Sequence, residues 1–255
     1  LDSPDLLELK QIAYIRTQYM TKFGVPRQAG VVSFEGTIEL CGEYAVSDAL
    51  RGLEDFDYIW LIWGFSHNVR ETWTPTVRPP RLGGSRREGV FATRSSFRPN
   101  NLALSSVRLL GRGTGKKACT LRVQGMDMVD GTPIYDIKPY VTYADVHADA
   151  RDGWVGKESW IKLKKVHISD VHMSMLPRHL HRGIKELLAQ DPRPAYRRGM
   201  SDGRIYWVPI EHFVIYFTVE EDELRVVRIR ILSKKECDIL IQTGHIADDD
   251  HLLGS

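Results

Sequence analysis

Three short stretches combine polar and charged groups with residues that fix a backbone: RPPRLGG (Arg78 to Gly84), GVFATRSSFRPN (Gly89 to Asn100) and DGTPIYDIKPY (Asp130 to Tyr140). Proline and glycine set the course of the chain while arginine, asparagine, aspartate and lysine are offered at set positions, which is how rigid ligand loops are made. Arg78, Arg81, Arg86, Arg87, Arg94 and Arg98 crowd together with only Glu88 against them. A polyanion senses such a local cluster even where the overall charge is small. The chemistry on offer is therefore binding of an anionic ligand, against the plainer reading of a solvated face on a turn-rich β protein.

Two other patterns invite chemistry and fail on spacing. GRGTG (Gly111 to Gly115) resembles a phosphate-cradling loop, but such a loop must open a helix, and the ACTLRVQG that follows is strand-like. It is expected to be a hairpin turn. His167, His172, His179 and His181 cluster, yet no HExxH pattern or cysteine pair accompanies them, so no metal is expected. Met126 and Met128, alternating in a strand, are expected to be core and edge residues.

The elements that must position these loops come in two groups. Runs at 9–16, 36–42, 58–65, 105–110, 118–125 and 132–141 favour strands, with a short helix at Ser47 to Phe56. Many short strands and few helices favour a closed barrel or a sandwich, and the barrel is the expectation. A small, polar stretch between Asp145 and Gly156 marks a boundary. Beyond it, a strand at Trp160 to Ile168 precedes a helix bearing Leu176, Leu180, Ile184, Leu187 and Leu188 at helical spacing, and 213–219 with 224–232 form a hairpin. The expected fold is mostly β: a non-Rossmann β-barrel domain over 1–155, a small α+β domain over 156–233, and a weakly patterned, peripheral tail over 234–255.

The bounds are those of an ordinary globular chain. Its 255 residues, 42% hydrophobic and 27% charged, bury a substantial core. The longest apolar run, YIWLIWGF, is far below the roughly 18 residues of a membrane span. The N-terminus lacks a signal-peptide pattern, although a start at Leu1 is compatible with a segment removed upstream. Three dispersed cysteines suit a reducing, cytoplasmic setting.

GVFATRSSFRPN, with VPRQ (25–28), TVRPPRLGG, DGTPIYDIKPY and QDPRPAYRRG around it in order, resembles the TrmO (YaeB/TsaA-like) family of tRNA N6-adenosine methyltransferases. The resemblance covers roughly residues 9–232 and implies a β-barrel methyltransferase domain, a homodimer, S-adenosyl-L-methionine as donor, and N6-threonylcarbamoyladenosine at position 37, beside the tRNA anticodon, as substrate. By resemblance the donor pocket takes Pro26, Arg27, Gln28, Ser66, His67, Arg94, Leu104, Asp130, Gly131, Thr132 and Pro133. An arginine fork suits the donor's carboxylate and Asp130 its ribose hydroxyls. The tRNA side takes Arg98, Asn100, Asp191, Arg193, Tyr196 and Arg197, with Arg198 beside them; Tyr196 offers a ring for stacking. Two departures stand out: FRPNNLA replaces the family's FRPNPIG, and Ser66 replaces a histidine common there.

Methyl transfer to an exocyclic nitrogen is an in-line displacement in which that nitrogen loses a proton. Asp136, Lys138 and Tyr140 are the candidates for orienting it, against the plainer reading that Asp136 and Lys138 pair with each other. A methyltransferase of another RNA or of a small molecule, and a non-catalytic RNA-binding β module, stay open as alternatives.

Overall fold

The computed structural model describes residues 8–65, 73–79, 86–155, 163–194, 197–198 and 200–244. In chain order the elements are β1 (Ala13–Arg16), β2 (Glu35–Leu40), β3 (Tyr58–Gly64), β4 (Thr76–Val77), β5 (Glu88–Gly89), β6 (Leu102–Arg112), β7 (Thr120–Gln124), β8 (Pro133–Pro139), α1 (Thr142–Asp145), β9 (Lys165–His167), α2 (Asp170–Ser174), α3 (Arg178–Ala189), β10 (Tyr206–Ile210), β11 (Phe213–Glu220), β12 (Glu223–Ile231) and α4 (Lys234–Thr243).

Strict alternation in the first group builds a closed barrel. Ile59, Leu61 and Trp63 of β3 point inward, as do Val107 and Leu109 of β6, Leu121 and Val123 of β7, and Ile15, Ile38 and Ile134 of their neighbours. With one face apolar, the sheet hides that face by closing on itself, which also removes its edges. The order is β1-β2-β7-β6-β3-β8, each neighbouring pair antiparallel. All six expected strands form. The expected helix at Ser47 to Phe56 is instead two 3-10 turns, Ser47–Leu50 and Leu53–Asp55, broken by Gly52 in the left-handed region at φ 86°. GRGTG joins β6 to β7, where Gly113 N–H donates to the Thr120 carbonyl at 2.9 Å, so it is a hairpin connection.

The second group forms a sheet in the order β10-β11-β12-β9, with only β9 running parallel to its neighbour. The hairpin and helix were legible. The strand expected at 160–168 is β9 within the described residues, and 160–162 lie outside them. Strand β10 was not anticipated, because Pro209 interrupts its pattern; an edge position tolerates that missing donor. The expected peripheral tail is corrected up to Gly244. Ser233 and Glu236 form a reciprocal capping box that starts α4, and Leu240 is buried against Val214, Tyr216 and Leu232. One buried leucine in ten residues leaves little periodicity to see.

Packing joins the two groups across the expected boundary at residue 155. Leu180, Ile184, Leu187 and Leu188 of α3 belong to the same apolar cluster as Ile15, Leu61 and Phe34. Glu186 accepts the Ser33 N–H at 2.6 Å, and Glu211 N–H donates to the Gln18 carbonyl at 2.8 Å. Gly183 brings α3 down onto the Phe34 ring, where an added Cβ would stand 2.3 Å from ring carbons. Gly183→Ala is therefore expected to cost about 1–3 kcal/mol through overpacking, read as a lower midpoint in urea denaturation.

Candidate functional site

A cleft of about 560 Å³ opens between the loop at Lys22 to Gln28, the end of β3, the start of β6, the loop at Thr93 to Arg98 and the turn at Asp127 to Thr132. The Thr93 loop holds its own shape. Thr93 Oγ1 donates to the Val90 carbonyl at 2.8 Å and accepts from Ser95 N–H at 3.3 Å; Ser95 Oγ accepts from Phe97 N–H at 3.2 Å. Arg98 ties the loop further, donating to the carbonyls of Thr93 and Ser95 at 3.0 and 3.3 Å. Such side-chain to backbone bonds stabilise irregular chain that no ladder satisfies. The result is a rigid mount for Arg94, whose Nη1 donates to Gln28 Oε1 at 2.5 Å across the cleft.

The cleft floor carries a chain of three polar groups. Trp63 Nε1 donates to Ser105 Oγ at 2.9 Å, and Ser105 Oγ donates to Asp127 Oδ1 at 2.6 Å. Strand β7 ends at Gln124, and Gly125 turns the chain at φ 88°, so the alternation expected of Met126 and Met128 is lost: both are buried in the core. Asp127, between them, lines the cleft. Burial pushes its carboxyl up, while the Ser105 hydroxyl, the Arg94 charge and the Ala29 N–H pull it back. Burial likewise raises the neighbouring Tyr19 hydroxyl, and Asp127 adds to that rise.

Of the sequence-derived donor residues, Pro26, Arg27, Gln28, Arg94, Leu104 and Thr132 line the cleft. Ser66 and His67 lie outside the described residues. Asp130, Gly131 and Pro133 flank the lining without joining it. The Asp130 carboxylate accepts from Thr17 N–H at 2.9 Å and from Arg16 at 3.4 Å, while Gly131 N–H donates to the Ile15 carbonyl and Pro133 opens β8. These three fasten the turn that presents Val129 and Thr132. The NLA departure (101–103) reaches the cleft wall through Leu102 and Ala103, which open β6 in register with Gly64 and Trp63.

Other expected site residues lie outside the lining or are engaged by partners of their own. Asp136 and Lys138 are outside the cleft lining and pair with each other at 3.0 Å, while Tyr140 packs on Trp60 and Tyr58, with centroids 5.5 and 6.2 Å away. Asp136 and Lys138 share a face of β8, on which Asp136 stands opposite Ile62 of the cleft wall. Asp191 and Arg193 are buried scaffold. Asp191, in the left-handed region after α3, receives both Nε and Nη2 of Arg193 at 2.8 Å, and Arg193 Nη1 reaches the Met200 carbonyl at 2.8 Å. The Arg193 side chain is 0% exposed, which removes it from phosphate contact. Arg198 donates to the Asp191 carbonyl at 2.6 Å; Arg197 faces Asp202 at 3.8 Å. Tyr196 lies outside the described residues. Arg98 lines the cleft, while exposed Asn100 turns the chain with its carbonyl on Leu102 N–H at 2.7 Å.

Beside the cleft, Trp73 and Phe91 stack with centroids 6.2 Å apart and planes 25° from parallel, 50% and 72% exposed. Phe91 sits two residues before Thr93, and Arg87 is braced on Thr76 at 2.8 Å nearby. Three of the four clustered histidines take separate partners: His167 near Glu223, His179 near Glu211, His181 on the Leu176 carbonyl. Among the described residues no group of three His, Cys, Asp or Glu side chains could hold a metal, and no helix is long and apolar enough to cross a membrane.

Comparison with known proteins matches residues 14–146 to the tRNA-methyltransferase O N-terminal domain and residues 165–231 to the TrmO C-terminal domain. The tRNA (adenine(37)-N6)-methyltransferase of Escherichia coli K12 is 40% identical over 220 residues, covering 84% of this chain and 94% of that protein. A Pseudomonas aeruginosa protein, RcsF, classed as an S-adenosylmethionine-dependent methyltransferase, is 39% identical over 229 residues, 87% of this chain and 95% of its own. A crystal structure of TrmO from P. aeruginosa superposes with a TM-score of 0.72 at 32% identity, covering 91% of this chain and all of that one.

Proposed function

The chain belongs to the TrmO family of tRNA methyltransferases, and from that premise we propose how its cleft works and on which nucleoside. It is an S-adenosylmethionine-dependent enzyme that methylates N6 of adenosine 37 in tRNA. The finer reading is that this adenosine carries the N6-threonylcarbamoyl group. The single observation that carries the site assignment is the self-bonded Thr93 loop, which fixes Arg94 against Gln28 at the cleft mouth.

The residues present fit the donor. Arg94 offers a fork for its carboxylate, Gln28 and the backbone near Val129 offer hydrogen-bonding groups for ribose and adenine, and Ile62, Phe65 and Leu104 offer an apolar wall. The donor supplies a methyl group on a positively charged sulfur. The protein's share is alignment: rigid loops hold the two reactants at contact distance and displace water from between them. Threonylcarbamoyl adds a carboxylate to the base, and the arginines around the cleft suit it.

The tRNA face is the exposed Trp73 and Phe91 pair with its arginines. A base under attack must leave the stack, and its neighbours then need somewhere to lie. Stacking on one aromatic is worth about 1–3 kcal/mol, so Phe91→Ala is expected to raise the KM for tRNA by roughly 5- to 150-fold without changing calorimetric donor affinity. A homodimer working in the cytoplasm completes the reading. The partly exposed ring cluster of Tyr58, Trp60 and Tyr140 on the barrel's outer wall supports a partner surface there; a monomeric mass by light scattering would remove it.

Incubation with S-adenosylmethionine and tRNA, with and without threonylcarbamoyl, tests the function by nucleoside mass spectrometry. Methylation of the threonylcarbamoylated nucleoside alone is expected. Equal methylation of both removes the finer substrate, and methylation of neither removes the enzyme reading.

A further inference from the structure

We propose that Asp127 is the proton acceptor for the methylated nitrogen, oriented by the Trp63 and Ser105 relay. The proposal rests on the methyl-transfer reading of the cleft and adds the residue that moves the proton.

The attacking nitrogen must lose its hydrogen, and a positioned acceptor contributes roughly 10²- to 10⁴-fold to such a step. Among the described residues, the charged side chains that line the cleft are Lys22, Arg27, Arg94, Arg98 and Asp127. Four are cations without a lone pair to offer. Asp127 alone in that set accepts. The other acidic candidates are committed elsewhere, Asp130 to Thr17 and Arg16 and Asp136 to Lys138.

The relay fixes the direction of every hydrogen. Trp63 Nε1 is only a donor, so Ser105 Oγ must accept from it and turn its own hydrogen onto Asp127 Oδ1. Ser105 and the backbone N–H groups of Ala29 and Asp127 fix the carboxylate, which has about four acceptor sites and so keeps a lone pair for the cleft. Burial raises the carboxyl and so makes it a stronger base, while Ser105, Arg94 and the Ala29 N–H oppose that rise. Tyr19, raised by burial and by Asp127 itself, stays neutral beside it. As the N–CH₃ bond forms and the S–CH₃ bond breaks, the N–H bond releases its proton to the Asp127 carboxylate and its electron pair stays on nitrogen. A neutral thioether, a methylated base and a protonated Asp127 result, and the acid then returns its proton to solvent.

The sign of the pH dependence follows. Only ionised Asp127 accepts, so the single-turnover rate is lost as pH falls through its raised pKa. Asp127→Asn is expected to lower that rate by roughly 10²- to 10⁴-fold and to abolish the acid limb, while calorimetric donor affinity is unchanged. Ser105→Ala keeps the carboxylate but removes a hydrogen bond to its charged form, so the acid limb and the ¹³C carboxyl titration of Asp127 in the free protein should both move to higher pH. Near wild-type rate in Asp127→Asn, or an unmoved acid limb in Ser105→Ala, overturns the proposal. So does a rate loss wholly explained by weaker donor binding. A wild type inactive on every tRNA sinks the enzyme reading instead, whereas an active wild type with an unimpaired Asp127→Asn sinks only this role.

Discussion

Arg193→Ala is expected to cost about 3–5 kcal/mol of stability, the penalty of leaving a buried partner charge alone. The Arg193 side chain is 0% exposed and that of Asp191 7%, so little solvent reaches Asp191 to screen it. The guanidinium also holds the Met200 carbonyl and lies 5.5 Å over the Tyr206 ring, so its loss frees the whole connection from α3 to β10. Tyr206 in turn donates to Asp202 at 2.6 Å, and Arg197 faces the same carboxylate. A drop of roughly 6–20 °C in Tm by calorimetry would accompany such a loss in a chain of this size. Replacing both partners, Asp191→Leu with Arg193→Met, should recover much of it, because a matched apolar pair costs no desolvation. If Arg193→Ala instead melts with the wild type and loses only tRNA affinity, the ion pair is not structural and direct phosphate contact by Arg193 returns.

Arg94→Ala is expected to weaken donor binding by roughly 10- to 150-fold, the equivalent of losing one hydrogen-bonding partner of a charged group. Calorimetry with S-adenosylmethionine and no tRNA reads it directly. Arg94→Lys should recover only part of the affinity, because an ammonium cannot reproduce the fork that spans Gln28 and a carboxylate. The loop itself should survive, since its bonds run through Thr93, Ser95 and Arg98 and not through Arg94. Unchanged donor affinity in Arg94→Ala would move the carboxylate site elsewhere in the cleft.

The six barrel strands were legible because period-2 alternation is a local property: Ile59, Leu61 and Trp63 declare an inner face wherever the strand lies. The order of ligand loops was legible for the same reason, since GVFATRSSFRPN carries its own fold in its hydroxyls and Arg98. Helix α4 and strand β10 were not, one for want of more than a single buried side chain and the other because Pro209 masks an edge strand.

The roles of charged residues divided more sharply. The sequence by itself determined the family, the barrel, the donor class and the presence of an arginine-rich loop, because each is written in contiguous residues. Only the tertiary structure decided which charges face the cleft. Asp191 and Arg193 look like surface ligands until α3 and the second sheet close over them, and Asp127 looks like a gap between two methionines until Gly125 turns it toward Ser105, twenty-two positions away in the chain. Burial and hydrogen-bond partnership are set by segments remote in sequence, and they decide whether an ionisable group is scaffold, anchor or base.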